Sequence, residues 1–244
     1  MTAPRPRLTR ATPAPKPGIV HLGLGACFRA HGALVIADAI SAGGGDWGVI
    51  GVSLRSPGIR DALRPPGDAY TAVALSPDGE THRGVHVLSD VVFAPEDPDA
   101  LLEHMADPAI KIVSLTITEK GYCHVPSTGA LNHDHSDIAA DMANDMPVSA
   151  IGYIVHALAR RHARGIPPFT VLSCDNLPNN GHVARAVVTA LAHAIDPDLA
   201  AWIAREARIP SPMVDRIVPA VTDQDVTRLS DQTGHHDAAP VFHE

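Results

Sequence analysis

Three stretches of this chain carry residue types that do chemistry, and each follows an apolar run. The first is G-L-G at Gly23 to Gly25, with Arg29 and His31 close behind. Two glycines at that spacing allow a tight turn and let backbone N–H groups approach a phosphate with no Cβ in the way. The position where a third glycine would complete a dinucleotide fingerprint is Phe28. Arg29, in the first helical turn, opposes the helix dipole but suits a phosphate. Such a conflict between a local rule and a residue is often functional. A plain strand-turn-helix stays open as the alternative, because a lone G-x-G is weak evidence.

The second stretch, TITEKGYC (Thr116 to Cys123), ends a strongly β-branched run. In open α/β sheets ligands collect at such carboxyl ends. Lys120 beside Glu119 also reads as a surface ion pair. The third stretch, SCDNLPNNG (Ser173 to Gly181), ends another strand in the same way. Asp175 and Asn176 either contact a ligand or cap the next helix.

Four further features are weighed against these. The second strand ends in SLRSP (Ser53 to Pro57), with no carboxylate for ribose hydroxyls. Arg55 there would pair with a 2′-phosphate, lie over an adenine ring, or stay solvated, so the choice between NAD and NADP is open at this position. NHDHSD (Asn132 to Asp137) has metal-ligand residue types. It is polar and turn-like with no third element at matching spacing, so it reads as a solvated loop, as does His235-His236, and no metal is expected. No G-x-S-x-G elbow is present. Cys123 and Cys174 lie at strand ends without a His that the sequence pairs to them.

The elements that must position these groups alternate. IVHLGL reads as a strand, Arg29 to Ile40 as a helix, and Trp47 to Leu54 as a second strand, together one βαβ unit. Two or more strands are expected over Tyr70 to Phe93, then a helix over Pro95 to Asp107. A central strand is expected at Ile110 to Thr118, a helix at Ser149 to Gly165, and a strand at Phe169 to Asn176. Two more helical patterns follow, and the part after Pro210 is weakly patterned, stopping at DAAPVFHE with no cap or final element. This alternation argues for an α/β fold, an open, mostly parallel sheet with helices on both faces. Residues 1–17 are proline-rich and read as a flexible lead-in.

Composition narrows the partners. The 244 residues are 45% hydrophobic and 19% charged, enough to bury a core, and the formal net charge is -8. With no Lys/Arg cluster beyond the PRPRLTR arm (Pro4 to Arg10), nucleic acid is not expected as a partner. No apolar run is long enough to span a bilayer, and the N-terminus lacks a signal-peptide h-region. Three cysteines without C-x-x-C spacing fit a reducing compartment. A cytoplasmic protein without membrane partners is the expectation.

Taken together, five segments resemble the polyol-specific long-chain dehydrogenases, the family of mannitol 2-dehydrogenase and fructuronate reductase (D-mannonate oxidoreductase). They are IVHLGLGACFRAH (Ile19 to His31), GDWGVIGVSLRSP (Gly45 to Pro57), TITEKGYC, SCDNLPNNG and MVDRIVP (Met213 to Pro219). The resemblance runs from about Gly18 to Pro219. It implies a Rossmann-type, doubly wound domain over 18–220 that binds NAD. It also implies reversible hydride transfer with a sugar alcohol or hexuronate-derived polyol, of mannitol/fructose or mannonate/fructuronate type, and no metal.

The cofactor contacts it implies are Val20, His21, Leu22, Gly23, Leu24, Gly25, Ala26, Cys27, Phe28, Arg29, Ala30, Arg55, Thr118 and Glu119. The catalytic carry-over is Asn176, matching an Asn that holds the substrate oxygen. Two departures stand out: Cys27-Phe28 where many members have Phe-His, and Ser211-Pro212 where Asn-Thr is common. The EKGYC form leans toward the fructuronate reductase side. The family's lysine base belongs to a C-terminal helical domain that this chain lacks, residues 221–244 reading as its truncated start. Lys120 is the one local candidate for a base and a poor one. The chain alone is therefore expected to be poorly active or inactive. The alternative is a non-catalytic remnant that binds nucleotide or a partner without turnover.

Overall fold

The computed structural model describes residues 5–244, so the first four residues of the expected lead-in lie outside the described residues. In chain order the elements begin with β1 (Pro17–Leu22), α1 (Ala33–Gly43), β2 (Gly48–Ser53), α2 (Gly58–Leu63), β3 (Tyr70–Ser76), β4 (Gly79–Val85) and β5 (Leu88–Phe93). They continue with α3 (Pro98–Ala106), β6 (Ile112–Leu115), α4 (Ser136–Ala143), α5 (Ala150–Ala163) and β7 (Thr170–Ser173). The last are α6 (Asn180–Ile195), α7 (Pro197–Glu206), α8 (Asp223–Thr233) and β8 (Val241–His243). A π-helical turn, Phe28–Gly32, precedes α1, and a 3₁₀ turn, Glu119–Tyr122, follows β6. The class is the Rossmann-like α/β one expected, a mostly parallel sheet with helices. No helix among the described residues is long and apolar enough to cross a membrane.

The chain divides into two compact units. One comprises Gly18–Gly23 and Phe93–Asp215. Its strands β1, β6 and β7 are parallel and adjacent in that order, with Leu22 opposite Leu115 and Leu115 opposite Ser173. The runs IVHL and IVSL are buried on both faces apart from half-buried Ile112, the signature of a strand covered on both sides, and TVLS buries Val171 and Ser173 with Thr170 and Leu172 half-buried. Helix α5 starts at Ser149, whose hydroxyl accepts from the Gly152 N–H at 2.8 Å. It buries Ile151, Ile154, Val155 and Leu158 and packs against α3 and α6. Arg161 closes the helix by donating to the carbonyls of Met105 (2.9 Å), Ile110 (2.7 Å) and Pro167 (2.8 Å). Burial lowers its pKa to about 10, and it still keeps its charge at neutral pH.

The other unit comprises Leu24–Val92 and Arg216–Glu244 with residues 5–17. Strand β2 lies beside β5, and a second sheet has the order β4-β3-β8. Two expectations are corrected here. The described part of the lead-in is extended but held. Arg10 donates to the carbonyls of Gly67, His86 and Leu88, and the Leu8 N–H donates to His236 O at 3.0 Å. Residues 221–244 do not begin a separate body. Helix α8 opens on a capping box between Thr222 and Asp225, and β8 pairs in parallel with β3, Phe242 opposite Val73. Phe242, Leu229 and Val73 share one buried cluster. A three-residue strand is too short to show a sequence period, so DAAPVFHE looked like an unfinished end.

Candidate functional site

In the unit built on β1, β6 and β7, the carboxyl ends of the three parallel strands carry a continuous hydrogen-bonded set. Gly23 has φ +94°, and a Cβ placed there would stand 2.1 Å from the Thr116 carbonyl oxygen. The glycine is therefore required by both backbone conformation and close approach. The Thr116 hydroxyl donates to Gly23 O at 2.7 Å. With its proton spent there, it accepts from His21 Nε2–H at 2.9 Å, so His21 is the Nε2–H tautomer and its Nδ1 accepts from the Ser114 hydroxyl at 2.8 Å. His21 is fully buried, and burial pushes its pKa down to about 3. It is a neutral strut under the glycine turn. Its side chain faces the β1–β6 interior, so any cofactor contact of His21 would come from its backbone.

Strand β6 runs into Ile117 and Thr118, and Thr118 has φ 63° and ψ 164°. That region is close to glycine-only, and a β-branched residue there is strained. Asp175, just past β7, holds the strain in place. Its carboxylate accepts from the N–H groups of Ile117 (3.0 Å) and Thr118 (2.9 Å) and from the Tyr122 hydroxyl (2.8 Å). Burial and the neighbouring Asp175 charge push the Tyr122 pKa up, so the phenol stays a donor. Asp175 is thus neither a helix cap nor a free ligand contact.

Asn176 is exposed beside it, in a turn closed by Leu177 N–H to Asp175 O at 2.9 Å. Asn180, not singled out in the sequence, is buried and donates to the carbonyls of Asp175 (3.2 Å) and Pro212 (3.1 Å), tying the turn to the MVDRIVP segment. In that segment Met213 is 90% exposed. Glu119 and Lys120 are exposed, and Glu119 lies 3.8 Å from His124 rather than pairing with Lys120.

In the other unit, the Leu24 N–H donates to Val52 O at 3.0 Å, and the Leu24 side chain lies over Gly51, where a Cβ would come within 2.6 Å of it. Gly25 is exposed where a helical run over residues 26–43 begins, so the chain meets a helix N-terminus with no side chain at that residue. At the end of β2, Ser53 is buried and its hydroxyl has no hydrogen-bond partner among the described residues. Sequence reasoning missed it, and an unpaired buried hydroxyl is the kind of group a ligand satisfies. Arg55 is exposed two residues later.

Arg29 is turned inward. It is buried, donates to the Ala239 carbonyl and lies 5.4 Å from the Tyr70 ring centre, with the Asp237 charge nearby. It anchors the last segment of its own unit instead of facing a phosphate. Phe28 and Ala30 are buried as well.

These residues fit a dinucleotide. Within the unit of Gly25 and Ser53, they supply an exposed glycine at a helix N-terminus and an unpaired hydroxyl at a strand end. The chain supplies no buried lysine base. Lys111 bonds Pro108 O before β6, Lys16 lies 3.9 Å from Asp46, and Lys120 is exposed.

Comparison with known proteins agrees with this reading. Residues 17–244 match the mannitol dehydrogenase Rossmann domain. Mannitol 2-dehydrogenase of Pyrenophora tritici-repentis is 41% identical over 234 residues, 94% of this chain and 41% of that protein. The polyol:NADP oxidoreductase of Gluconobacter oxydans is 42% identical over 235 residues, 94% of this chain and 48% of that one. The solved ternary complex of Pseudomonas fluorescens mannitol 2-dehydrogenase with NAD and D-mannitol superposes with a TM-score of 0.90. It is 39% identical, covering 99% of this chain and 50% of that one. The chain spans about half the length of the relatives it matches.

Proposed function

We propose, from the premise that this chain belongs to the mannitol dehydrogenase family as its Rossmann domain, that it binds NAD and orients it toward a polyol. The observation that carries the reading is the strained Thr118 turn clamped by Asp175 at the carboxyl ends of β6 and β7. A backbone held in a glycine-only region by a dedicated carboxylate is costly unless its shape is used.

Bound NAD would supply the hydride acceptor for oxidation of a secondary alcohol, or the donor in reverse. The chain's own residues do the rest. Gly23 and Gly25 let the backbone and the helix N-terminus meet the pyrophosphate. Ser53 takes a ribose hydroxyl, and Arg55 takes the adenine ring or a 2′-phosphate. Thr118 and Glu119, set by Asp175, border the nicotinamide. Asn176 donates to the substrate oxygen that becomes the carbonyl. Val20 and Leu22 support the Gly23 turn from β1, and Leu24, Ala26 and Cys27 flank Gly25 in the chain. The substrate is a sugar alcohol or a hexuronate-derived polyol. The base that takes the alcohol proton comes from residues this chain does not supply, so the chain alone turns over slowly or not at all.

Titration of the purified chain with NADH and NADPH, read by cofactor fluorescence, tests the proposal. Saturable binding of at least one is expected. No change at millimolar cofactor overturns the reading. Arg55→Ala separates the two cofactors. A loss confined to NADPH places a 2′-phosphate on Arg55, and an equal loss for both places adenine there.

A further inference from the structure

By sequence alone the NHDHSD run is a solvated loop, with no third element at matching spacing. The fold supplies one. The chain leaves the 3₁₀ turn through Cys123, which has the left-handed conformation φ 50°, ψ 38°. It then runs out and back. His124 bridges antiparallel to Leu131, the Val125 N–H donates to Ala130 O at 2.8 Å, and the Asn132 N–H donates to Cys123 O at 2.8 Å. The His135 N–H donates to Asn132 O at 3.1 Å, which turns the chain into α4 beside Cys123. One ligand atom each from Cys123, His135 and Asp137 then lies within 4.8 Å of the other two.

We propose that Cys123, His135 and Asp137 form a binding site for a borderline-soft divalent cation of the Zn²⁺ type. A thiolate, an imidazole and a carboxylate make a donor set that disfavours Mg²⁺ and Ca²⁺ and suits Zn²⁺, with one coordination position left open. Zinc bonds of about 2.0–2.3 Å put tetrahedral ligand atoms about 3.3–3.8 Å apart, so side-chain movements of an ångström or so close the site.

Cys123 is buried and the other two are half-buried, whereas His133 and Asp134 are exposed and stay outside the cluster. The solvated-loop reading therefore holds for half of the run only. Existing contacts compete: the Cys123 thiol donates to Gly121 O at 3.8 Å and the Ser136 hydroxyl donates to the Asp137 carboxylate at 3.3 Å. His135 Nδ1 accepts from the Asp137 N–H at 3.2 Å and caps α4, so a cation on the ring takes up that interaction or shifts the ring proton. The site reaches the turn described above, because the Cys123 N–H donates to Lys120 O at 3.2 Å. A cation on Cys123 would pin the segment that carries Thr118 and Glu119.

The test uses the whole chain, stripped with a chelator and titrated with Cd²⁺ as the probe. A one-to-one thiolate-to-cadmium absorption band is expected, displaced by Zn²⁺ and unmoved by Mg²⁺. The band should vanish in C123S, weaken by at least about tenfold in D137N, and persist in C27S and C174S. Cadmium NMR of the unsubstituted chain reads the donor set without any substitution, should C123S fold poorly. A single resonance from one sulfur with nitrogen and oxygen donors is expected. No band in the folded chain, a band that survives C123S, or a two-sulfur or all-oxygen signal overturns the proposal.

Discussion

The carboxylate of Asp175 accepts from the backbone N–H of Thr118 at 2.9 Å and from that of Ile117 at 3.0 Å. The bonds cross from the end of β7 to the end of β6, 57 and 58 residues earlier in the chain. One acidic side chain thereby fixes both the strained turn after β6 and the turn that carries Asn176.

Replacing Asp175 should therefore cost stability and cofactor affinity together. D175A leaves the two N–H groups without an acceptor and the Tyr122 hydroxyl with only its Ser173 partner, a loss of about 3 kcal/mol. D175N keeps one acceptor but turns an NH₂ toward a backbone donor, so it should recover less than half of that. Urea unfolding measures the first effect and NADH titration of the folded fraction the second. A folded D175N with unchanged NADH affinity would detach the Thr118 turn from the cofactor.

Gly23→Ala should be among the most damaging single-methyl changes in the chain. It combines a positive φ with a Cβ 2.1 Å from the Thr116 carbonyl oxygen, for a cost of about 3 kcal/mol or more. Gly165 is the control. Its φ is +67° with nothing within 4 Å of a Cβ, so Gly165→Ala carries only the left-handed strain of about 1 kcal/mol. Thermal unfolding of the two variants separates clash from strain. Equal losses would refute the close approach of Gly23 to β6.

The buried His21 makes stability depend on pH in a stated direction. Its folded pKa is about 3, against roughly 6.5 in the unfolded chain, so the unfolded state binds the extra proton between those values. The contribution is whole above about pH 6.5 and is lost as pH falls toward 3, at up to about 1.4 kcal/mol per pH unit for one proton. Burial lowers the pKa of His31 and His86 as well, so they add to the slope. Denaturant midpoints taken between pH 7.5 and pH 5 should fall, and less steeply in His21→Asn. An equal slope in that variant would show that His21 is not the titrating group.

Much of this was legible in the sequence for a physical reason. Strands buried on both faces read as unbroken apolar runs, and β1, β2, β6 and β7 sit where IVHLGL, WGVIGVSL, IKIVSLTIT and FTVLSCDN placed them. The glycine turn was also legible, because only glycine fits its backbone. What the sequence hid depends on contacts between distant residues. Arg10 finds its carbonyl partners 57 to 78 residues away, and β8 has too few residues to show a period. Cys123 meets His135 only because His124 and Leu131 bridge. Ser53 was passed over because an unpaired hydroxyl is a property of the folded state.

Arg29 gives the sharpest division between the two ways of reading the chain. By position it belongs to the helix turn after G-L-G and looks made for a phosphate. In the fold its guanidinium is buried, donating to Ala239 O against the Tyr70 ring, and the Tyr70 hydroxyl donates back to the Arg29 carbonyl at 2.6 Å. Asp237, which fastens the same segment through the Thr71 N–H and the Ala239 N–H, supplies the nearby negative charge. Removing the guanidinium strands that buried carboxylate and a carbonyl at once, so R29A should cost about 3 kcal/mol. The loss should be local at first. Backbone amides over Thr71 to Val73 and Ala239 to His243 should exchange faster than those of β6 and β7. NADH affinity of the folded variant should move by less than about twofold, well under the tenfold that 1.4 kcal/mol of lost contact would produce. A tenfold loss of affinity with the terminal amides still protected would return Arg29 to the phosphate and leave the Ala239 bond incidental.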